Sequence, residues 1–439
     1  MTGGIVLLLS AILTLRAEGA QDIPHVSKGM LMPEYWINRA ATPDRVFMSK
    51  WDMMRINSLV YQDGNQVRPH DESAWVEGRR IRGYIEEDHL ELRQWRKYDD
   101  EDRKLADSRL DREMRKLTRP DRVPDRVRVM YGLTVRRTQV RMMPTAVRFQ
   151  RRPGDPDFDI LVKTMAEPGT PVTVYHFSRD RKWAFVLTPE CTGWIRAVDL
   201  AWSGDRGIFR PYEEAERFLV VTGKEALVYR DRRYMDATTG VSMGGWLPLV
   251  REEKGRFVVL MPDREEGGKP QFYHGYVPAR GDVREGSPSL TVRNLLLQSF
   301  KWLGAEYRWG HLGSTTDCSG FVLSVLRTFG MEVPRSSELE LRAFGLISMP
   351  ASAERKRNRL VELLPFRTLL GFSGHIGLYL GMVGDRHYMI HATNGYWTSR
   401  NGFEHEVIIR RVVVSDLSLG EGGRNGSLMD RLSYAAIID

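Results

Sequence analysis

Asp317-Cys318-Ser319-Gly320-Phe321 opens a stretch whose apolar residues recur at helical spacing, and the run Gly374-His375-Ile376-Gly377-Leu378-Tyr379-Leu380-Gly381 follows it. The first stretch predicts a helix with Asp317 at its N-cap and Cys318 at its positive end. The second predicts a buried strand that carries one histidine. The positive end of a helix favours a thiolate, and a histidine can shuttle its proton. Together these stretches indicate a cysteine hydrolase.

A second histidine lies in Ile390-His391-Ala392. Residues 381–385 predict a hairpin turn between two β-like runs. Alternation along the strands would then place His375 and His391 on the same face of adjacent strands. A base that is oriented by a third polar group is the general arrangement of a catalytic triad. His387 shares that face, so it remains an alternative to His391 as the orienting residue.

The last third of the chain resembles the NlpC/P60 cysteine peptidases. The resemblance rests on the two stretches above, on Tyr307-Arg308-Trp309-Gly310, on Pro334-Arg335-Ser336-Ser337 and on the His391 segment. One departure concerns the substrate groove. Family members often have Pro-Gly-Asp-Leu before the histidine strand, whereas this chain has Pro365-Phe366-Arg367-Thr368-Leu369-Leu370. The missing aspartate is expected to alter specificity and leaves the nucleophile untouched.

The resemblance implies a role for each motif residue. Cys318 would be the nucleophile, His375 the base, and His391 the residue that orients the base. Tyr307 would assist the oxyanion or the substrate carbonyl. The other substrate-binding residues, which would line the groove, are Asp317, Ser319 and Ser337. The resemblance implies no metal and no other cofactor.

Peptidases of this family hydrolyse the bond between the γ-carboxyl of D-glutamate and a diamino acid in peptidoglycan stem peptides. The resemblance therefore implies a cell-wall γ-D-glutamyl-L-diamino-acid endopeptidase that acts through a thioester of Cys318. Three alternatives stay open: a metal hydrolase that uses His375, His387, His391 and Cys318, a non-catalytic peptidoglycan-binding protein, and a thiol amidase or acyltransferase of the same fold. The metal hydrolase is less favoured, because this chain lacks the glutamate that follows the first histidine in the helical zinc signature.

The pattern before the peptidase region changes twice. Residues 28–125 predict a helical N-terminal arm, in part densely charged with sparse apolar positions. From there the period changes to two, and two sets of about five short strands, 126–203 and 204–285, resemble two bacterial SH3-like β-barrels. A linker rich in Gly, Pro and Ser leads into the peptidase domain, 290–439. The predicted fold class is α+β multidomain, with a papain-like NlpC/P60 catalytic domain preceded by two SH3-like β-barrels and a helical N-terminal arm.

This order of domains resembles a subgroup in which the first barrel closes one end of the substrate groove. That resemblance implies a preference for stem peptides with a free N-terminal L-alanine. A carboxylate must then meet the substrate ammonium, because an unpaired buried charge is costly. The candidate region is 131–145, together with Asp157 or Asp159. The alternative is that these acids cap loops.

The chain has 439 residues, of which 42% are hydrophobic and 28% charged, as is typical of a folded protein with several domains. Its net charge is +8, but Lys and Arg are interleaved with Asp and Glu, so we expect no nucleic-acid partner. The expected partner is the peptidoglycan stem peptide, and the expected state is a monomer. A disulfide between Cys191 and Cys318 would consume the nucleophile, so both cysteines are predicted to be free thiols.

Residues 5–15 form an apolar run that is too short to span a bilayer. Its length suits the hydrophobic part of a signal peptide, with 17–19 as the cleavage site. We therefore predict a signal peptide over 1–20, export to the periplasm or cell envelope, and no integral membrane segment after its removal. No Lys or Arg precedes the run, and the alternative is a buried N-terminal helix in a cytoplasmic protein.

Overall fold

The structure is a computed structural model that describes residues 23–62, 68–155, 158–310, 313–400 and 403–439. The predicted signal peptide and Asp157 lie outside these residues. The described residues form two compact units. One comprises the described parts of Met1–Asn57, Pro288–Tyr307 and Ser314–Asp439, and the other comprises those of Ser58–Ser287 and Arg308–Gly313. The predicted arm contributes residues to both units, and its boundaries stay a prediction.

The unit with Cys318 is built on one antiparallel sheet of six strands. In spatial order the strands are Ile347–Ser348, Tyr434–Ile437, Thr368–Phe372, His375–Val383, Arg386–Arg400 and Phe403–Asp416. The helices of this unit are Pro33–Ile37, Val292–Lys301, Cys318–Arg327, Ser337–Ala343, Ala353–Glu362 and Leu428–Arg431, and the helix Lys50–Gln62 belongs to it as far as Asn57. The mixture of helices with an antiparallel sheet confirms the predicted α+β class.

The strand His375–Val383 is covered on both faces. Leu378 lies beside Phe321 and Val325 of the helix Cys318–Arg327. Tyr379, the next residue, belongs to a second core cluster. Because neighbouring residues of a strand point to opposite faces, one face of the strand meets the helix and the other meets that cluster. This is why the sequence here is a continuous apolar run rather than an alternating one.

The predicted hairpin is present, but its turn is shorter than expected. Val383 pairs with Arg386, so the connection is the two residues Gly384 and Asp385. Gly384 has a φ of 63°, which suits a two-residue hairpin turn. Gly381, assigned to the turn from the sequence, lies inside the first strand, where the register shifts between Tyr379 and Gly381. A β-bulge therefore replaces the first part of the predicted turn.

The other unit contains two seven-stranded antiparallel sheets. The spatial order of the first is Val162–Ala166, Thr138–Arg141, Thr192–Arg196, Trp183–Leu187, Pro171–Phe177, Met130–Thr134 and Leu200–Ser203. The spatial order of the second is Ala237–Ser242, Glu225–Tyr229, Pro270–Pro278, Arg256–Arg264, Trp246–Glu253, Phe218–Val221 and Val283–Glu285. Counted along the chain, each sheet has the order third, second, sixth, fifth, fourth, first, seventh. The second sheet therefore repeats the topology of the first.

The expectation of about five strands in each set was wrong, because several of the strands are short. Around the sheets lie the helices Gly78–Gln94, Asp107–Thr118 and Arg210–Glu213 and a strand pair, Trp75–Glu77 with Arg126–Arg128. Both cysteines are free, as predicted. Within the described ranges, no helix has the length and apolar character needed to cross a membrane.

Trp36 anchors the N-terminal segment in the unit with Cys318. Its indole is fully buried and donates from Nε1 to Met30 O at 2.8 Å. Its ring lies 5.7 Å from the ring of Tyr388. The helix that carries it, Pro33–Ile37, packs against Val292–Lys301. The segment 28–37 is thus part of the core of this unit.

We expect Trp36→Ala to lower the free energy of unfolding by about 3–5 kcal/mol, because it leaves a large cavity and an unpaired carbonyl. Chemical denaturation measures the change. Trp51→Ala is the matched control, since Trp51 is 79% exposed and should change stability by less than about 0.5 kcal/mol. Equal effects of the two substitutions would show that Trp36 is not a core residue.

Candidate active site

Cys318 is the first residue of the helix Cys318–Arg327, as predicted. Asp317 is the N-cap, and its Oδ1 accepts from Gly320 N at 2.8 Å. The N–H of Cys318 has no acceptor among the described residues, because it belongs to the first turn, whose N–H groups have no partner within the helix. The thiol and a free backbone donor therefore stand together at the positive end of the helix.

An arginine that the sequence interpretation missed holds this helix end. Arg335 donates from Nη2 to Asp317 Oδ2 at 2.5 Å and from Nη1 to Ser319 Oγ at 2.6 Å. Asp317 and Ser319 are both buried. Their side chains thus contact Arg335, and their predicted place in the substrate groove stays a prediction. The signal for Arg335 was its position in the motif that was cited for Ser337.

Ser337 begins the next helix, Ser337–Ala343, and is half-buried. Ser336 caps that helix, because its Oγ accepts from Leu339 N at 3.3 Å. Tyr307 is also half-buried. Its N–H donates to Arg410 O at 2.8 Å, and it forms a parallel bridge with Thr316, which directly precedes the Asp317 cap. The backbone therefore holds Tyr307 next to the segment that carries the cysteine.

Burial opposes ionisation of the Cys318 thiol. The side chain is 6% exposed, and its Sγ lies 3.9 Å from Gly374 O, the residue before His375. Burial, followed by the charge of Asp317, raises the pKa of Cys318 to about 12. The loss of hydration therefore works against the thiolate that the helix end favours, and the ionisation of Cys318 stays a prediction.

The two predicted histidines are hydrogen-bonded to each other. His375 Nε2 lies 2.7 Å from His391 Nδ1, which confirms that they share one face of adjacent strands. Gly377 lies across from His391, and a Cβ added there would stand 2.7 Å from the His391 Cβ. Burial, then the charge of Arg431, lowers the pKa of His375, and burial, then His375 and Arg431, lowers that of His391. Both imidazoles are therefore neutral at neutral pH.

The second histidine of the pair is also hydrogen-bonded to a serine. His391 Nε2 lies 2.9 Å from Ser415 Oγ, and both side chains are buried. Ser415 stands on the neighbouring strand, Phe403–Asp416. Nothing in the sequence interpretation pointed to it, because it follows three valines in what reads as an ordinary apolar strand. His375, His391 and Ser415 thus form a hydrogen-bonded series, and the Cys318 sulfur lies beside Gly374, the residue before His375.

His387 is not part of the hydrogen-bonded series His375, His391 and Ser415. Its Nδ1 lies 2.7 Å from the hydroxyl of Tyr379, and both side chains are buried. The alternative in which His387 orients the base is therefore wrong. In the part of the chain that the structure describes, no group of three or more His, Cys, Asp or Glu residues is placed to hold a metal ion.

Asp159 makes two hydrogen bonds and one ion pair within its own unit. Its Oδ1 accepts from Phe149 N at 3.2 Å and from Leu161 N at 3.1 Å, and its Oδ2 lies 3.0 Å from Nη1 of Arg141. The side chain is buried. These contacts support the alternative in which this acid organises a loop rather than meeting a substrate ammonium.

Comparison with protein families identifies two regions. Residues 304–413 match the NlpC/P60 family, and residues 148–196 match an SH3 domain of the SH3b1 type. The chain therefore carries an NlpC/P60 catalytic domain and an SH3b domain, as the resemblance implied. Cys318, His375 and His391 lie within the first match. The second seven-stranded sheet lies outside the second match, so its assignment as another SH3-like domain stays a prediction.

The chain is similar to one curated peptidase and to solved NlpC/P60 proteins. It is 27% identical over 123 residues to a gamma-D-glutamyl-L-lysine dipeptidyl-peptidase of Bacillus cereus, which covers 28% of this chain and 36% of that protein. A solved NlpC/P60 endopeptidase of Photobacterium damselae subsp. piscicida superposes with a TM-score of 0.75 at 19% identity, covering 92% of this chain and 96% of that one. An NlpC/P60 family protein of Bacillus cereus gives 0.49 at 18% identity over 69% and 98% of the two chains. The Photobacterium structure shares the fold along nearly the whole chain.

Gly377→Ala should lower kcat/KM by about 100-fold, because the added methyl group meets the side chains of Met389 and His391, and a shift of about 1 Å would misalign the predicted base His375. Steady-state kinetics on the cleaved peptide measure the loss. Gly83→Ala is the matched control, since a Cβ there meets no atom within 4 Å. Unchanged activity of Gly377→Ala would show that the register of the two histidines does not matter.

The ionisation of Cys318 can be read directly. We expect no Cys318-dependent thiolate absorbance in the ultraviolet between about pH 5 and pH 9, because the pKa of the thiol is raised above its usual value near 8.5. The measurement is a pH titration of the wild type minus Cys318→Ser. A thiolate signal at neutral pH would show instead a preformed thiolate–imidazolium pair.

Proposed function

We propose that this chain is a cysteine endopeptidase that cleaves the γ-D-glutamyl–diamino acid bond of peptidoglycan stem peptides. The observation that carries the proposal is the 2.7 Å bond between His375 and His391 beside the thiol-bearing helix end, within the NlpC/P60 match. The name of the Bacillus cereus relative supports the γ-D-glutamyl specificity. An exported location follows from a substrate of the cell wall.

Acylation begins from a neutral thiol and a neutral imidazole. The Cys318 proton moves to Nδ1 of His375 as the sulfur attacks the γ-carbonyl carbon of D-glutamate. The carbonyl oxygen takes the negative charge and is held by the Cys318 N–H, with Tyr307 assisting. The tetrahedral intermediate collapses, the C–N bond breaks, and the leaving amine takes the proton from His375. The product that stays on the enzyme is a thioester.

Deacylation runs through the same groups. Neutral His375 takes a proton from water as the water oxygen attacks the thioester carbon. The C–S bond then breaks, and the sulfur regains its proton from His375. The products are a peptide that ends in D-glutamate and an enzyme with its thiol restored. His375 serves as base and acid in turn, and His391 keeps its ring in place throughout.

The upstream domains are proposed to restrict the substrate. We propose that the second sheet is a further SH3-like domain, because its strand order repeats that of the sheet that overlaps the SH3b match. The preference for a free N-terminal L-alanine is carried over from the family resemblance. The internal contacts of Asp159 argue against it as the ligand of that ammonium.

Mass spectrometry of L-Ala-γ-D-Glu-diaminopimelate and the corresponding lysine peptide tests the reaction. The wild type should release L-Ala-γ-D-Glu, and Cys318→Ala should release none. Cys191→Ala is the matched control and should remain active, because Cys191 lies outside the NlpC/P60 match. Absence of cleavage by the wild type, or cleavage that survives Cys318→Ala, would refute the proposed function and favour wall binding or a different chemistry.

N-terminal acetylation of the same peptides tests the preference for a free amine. The acetylated peptides should be cleaved at least about tenfold more slowly, since one lost charge-assisted contact is worth about 1.5–3 kcal/mol. Equal rates for free and acetylated peptides would remove the amine requirement and leave the cysteine mechanism standing.

A further inference from the structure

Ser415 is the last side chain of the hydrogen-bonded series formed by His375, His391 and Ser415. Its hydroxyl is fully buried, and its Oγ lies 2.9 Å from His391 Nε2. Among the described residues, His391 is the hydrogen-bond partner of this hydroxyl. Ser415 lies beyond residues 304–413, which match the NlpC/P60 family. No role has been given to it above.

The positions of the protons on His375, His391 and Ser415 depend on one another. A neutral imidazole has one N–H donor and one acceptor nitrogen. If His391 donates from Nε2 to Ser415, its Nδ1 accepts from Nε2–H of His375, and Nδ1 of His375 is left unprotonated. If Ser415 donates instead, the protons shift along both rings and Nδ1 of His375 carries a proton. Only the first arrangement leaves His375 able to accept the Cys318 proton, and it does so at the cost of leaving the Ser415 O–H without an acceptor among the described residues.

We propose that Ser415 is a positioning residue that accepts from His391 Nε2 and thereby keeps His375 in the tautomer of a general base. This role rests on the proposed function, because a base is required only if Cys318 attacks a carbonyl. Ser415 reaches the reaction through two imidazoles and touches neither substrate nor thiol. Its loss should therefore act on kcat and leave KM nearly unchanged.

Removal of the hydroxyl leaves a buried nitrogen of His391 without a partner. A buried unpaired donor is costly, so the ring is driven to rotate or to move its proton to Nδ1. Either change breaks the arrangement that His375 requires. A threonine keeps the hydroxyl on the same carbon and should restore the acceptor.

The kinetic test compares three variants of the full chain on the peptide that the wild type cleaves. Ser415→Ala should lower kcat by about tenfold or more with KM within about twofold, while Ser415→Thr should recover most of the loss. Ser299→Ala is the matched control, because its hydroxyl is equally buried and donates only to Leu295 O at 2.8 Å. A Ser415→Ala enzyme with wild-type kcat would overturn the proposal, as would a Ser299→Ala enzyme with the same loss.

The tautomer itself separates this proposal from the proposed function. Nitrogen NMR of histidine-labelled protein should show the His391 proton on Nε2 in the wild type and in Ser415→Thr, and a reduced Nε2–H population in Ser415→Ala. Comparison with His391→Gln assigns the signal. The same Nε2–H population in Ser415→Ala as in the wild type would overturn the positioning role. If the wild type cleaves no γ-glutamyl peptide while the tautomer still depends on Ser415, the proposed function fails and only the control of the His391 tautomer by Ser415 stands.

Discussion

The hydrogen bond between His375 and His391 depends on the register of two antiparallel strands. Leu378 pairs with Ile390, and this register brings Gly377 opposite His391. A slip of one residue would turn the histidines to opposite faces. The register is fixed by the apolar residues that the helix Cys318–Arg327 and the second core cluster bury on the two faces. The packing that stabilises this sheet therefore also aligns the site.

The helix end that carries the thiol is held by charge rather than by apolar packing. Asp317 caps the helix, and as a buried carboxylate it requires a counter-charge, which Arg335 supplies. The same guanidinium also donates to the hydroxyl of Ser319, the residue that follows the cysteine. This arrangement has a consequence for the chemistry. The carboxylate that orders the helix end also opposes a negative sulfur, which contributes to the raised pKa of Cys318.

Local patterns in the sequence predicted the cap, the helix and the shared face of the two histidines, because each follows from spacing within a few residues. Features set by long-range contacts were missed. Strands such as Thr138–Arg141 are too short to give a pattern of their own, and Ser415 follows three valines. The raised pKa of Cys318 depends on burial by distant segments, which spacing does not reveal. The internal pairing of Asp159 with Arg141 was hidden for the same reason.

The uncharged side chains of Cys318, His375, His391 and Ser415 suit this buried position better than a series that ends in a carboxylate. A carboxylate in place of Ser415, beside His391, would lose its hydration inside the sheet. Such a buried charge is costly without a close partner. With Ser415 at the end, the resting site carries no charge on these groups. In the proposed mechanism, positive charge appears on His375 only when the thiol gives up its proton, and negative charge then appears on the substrate oxygen at the helix end. Since both charges would arise together in the transition state, the fixed dipoles of the site would stabilise that state more than the resting one.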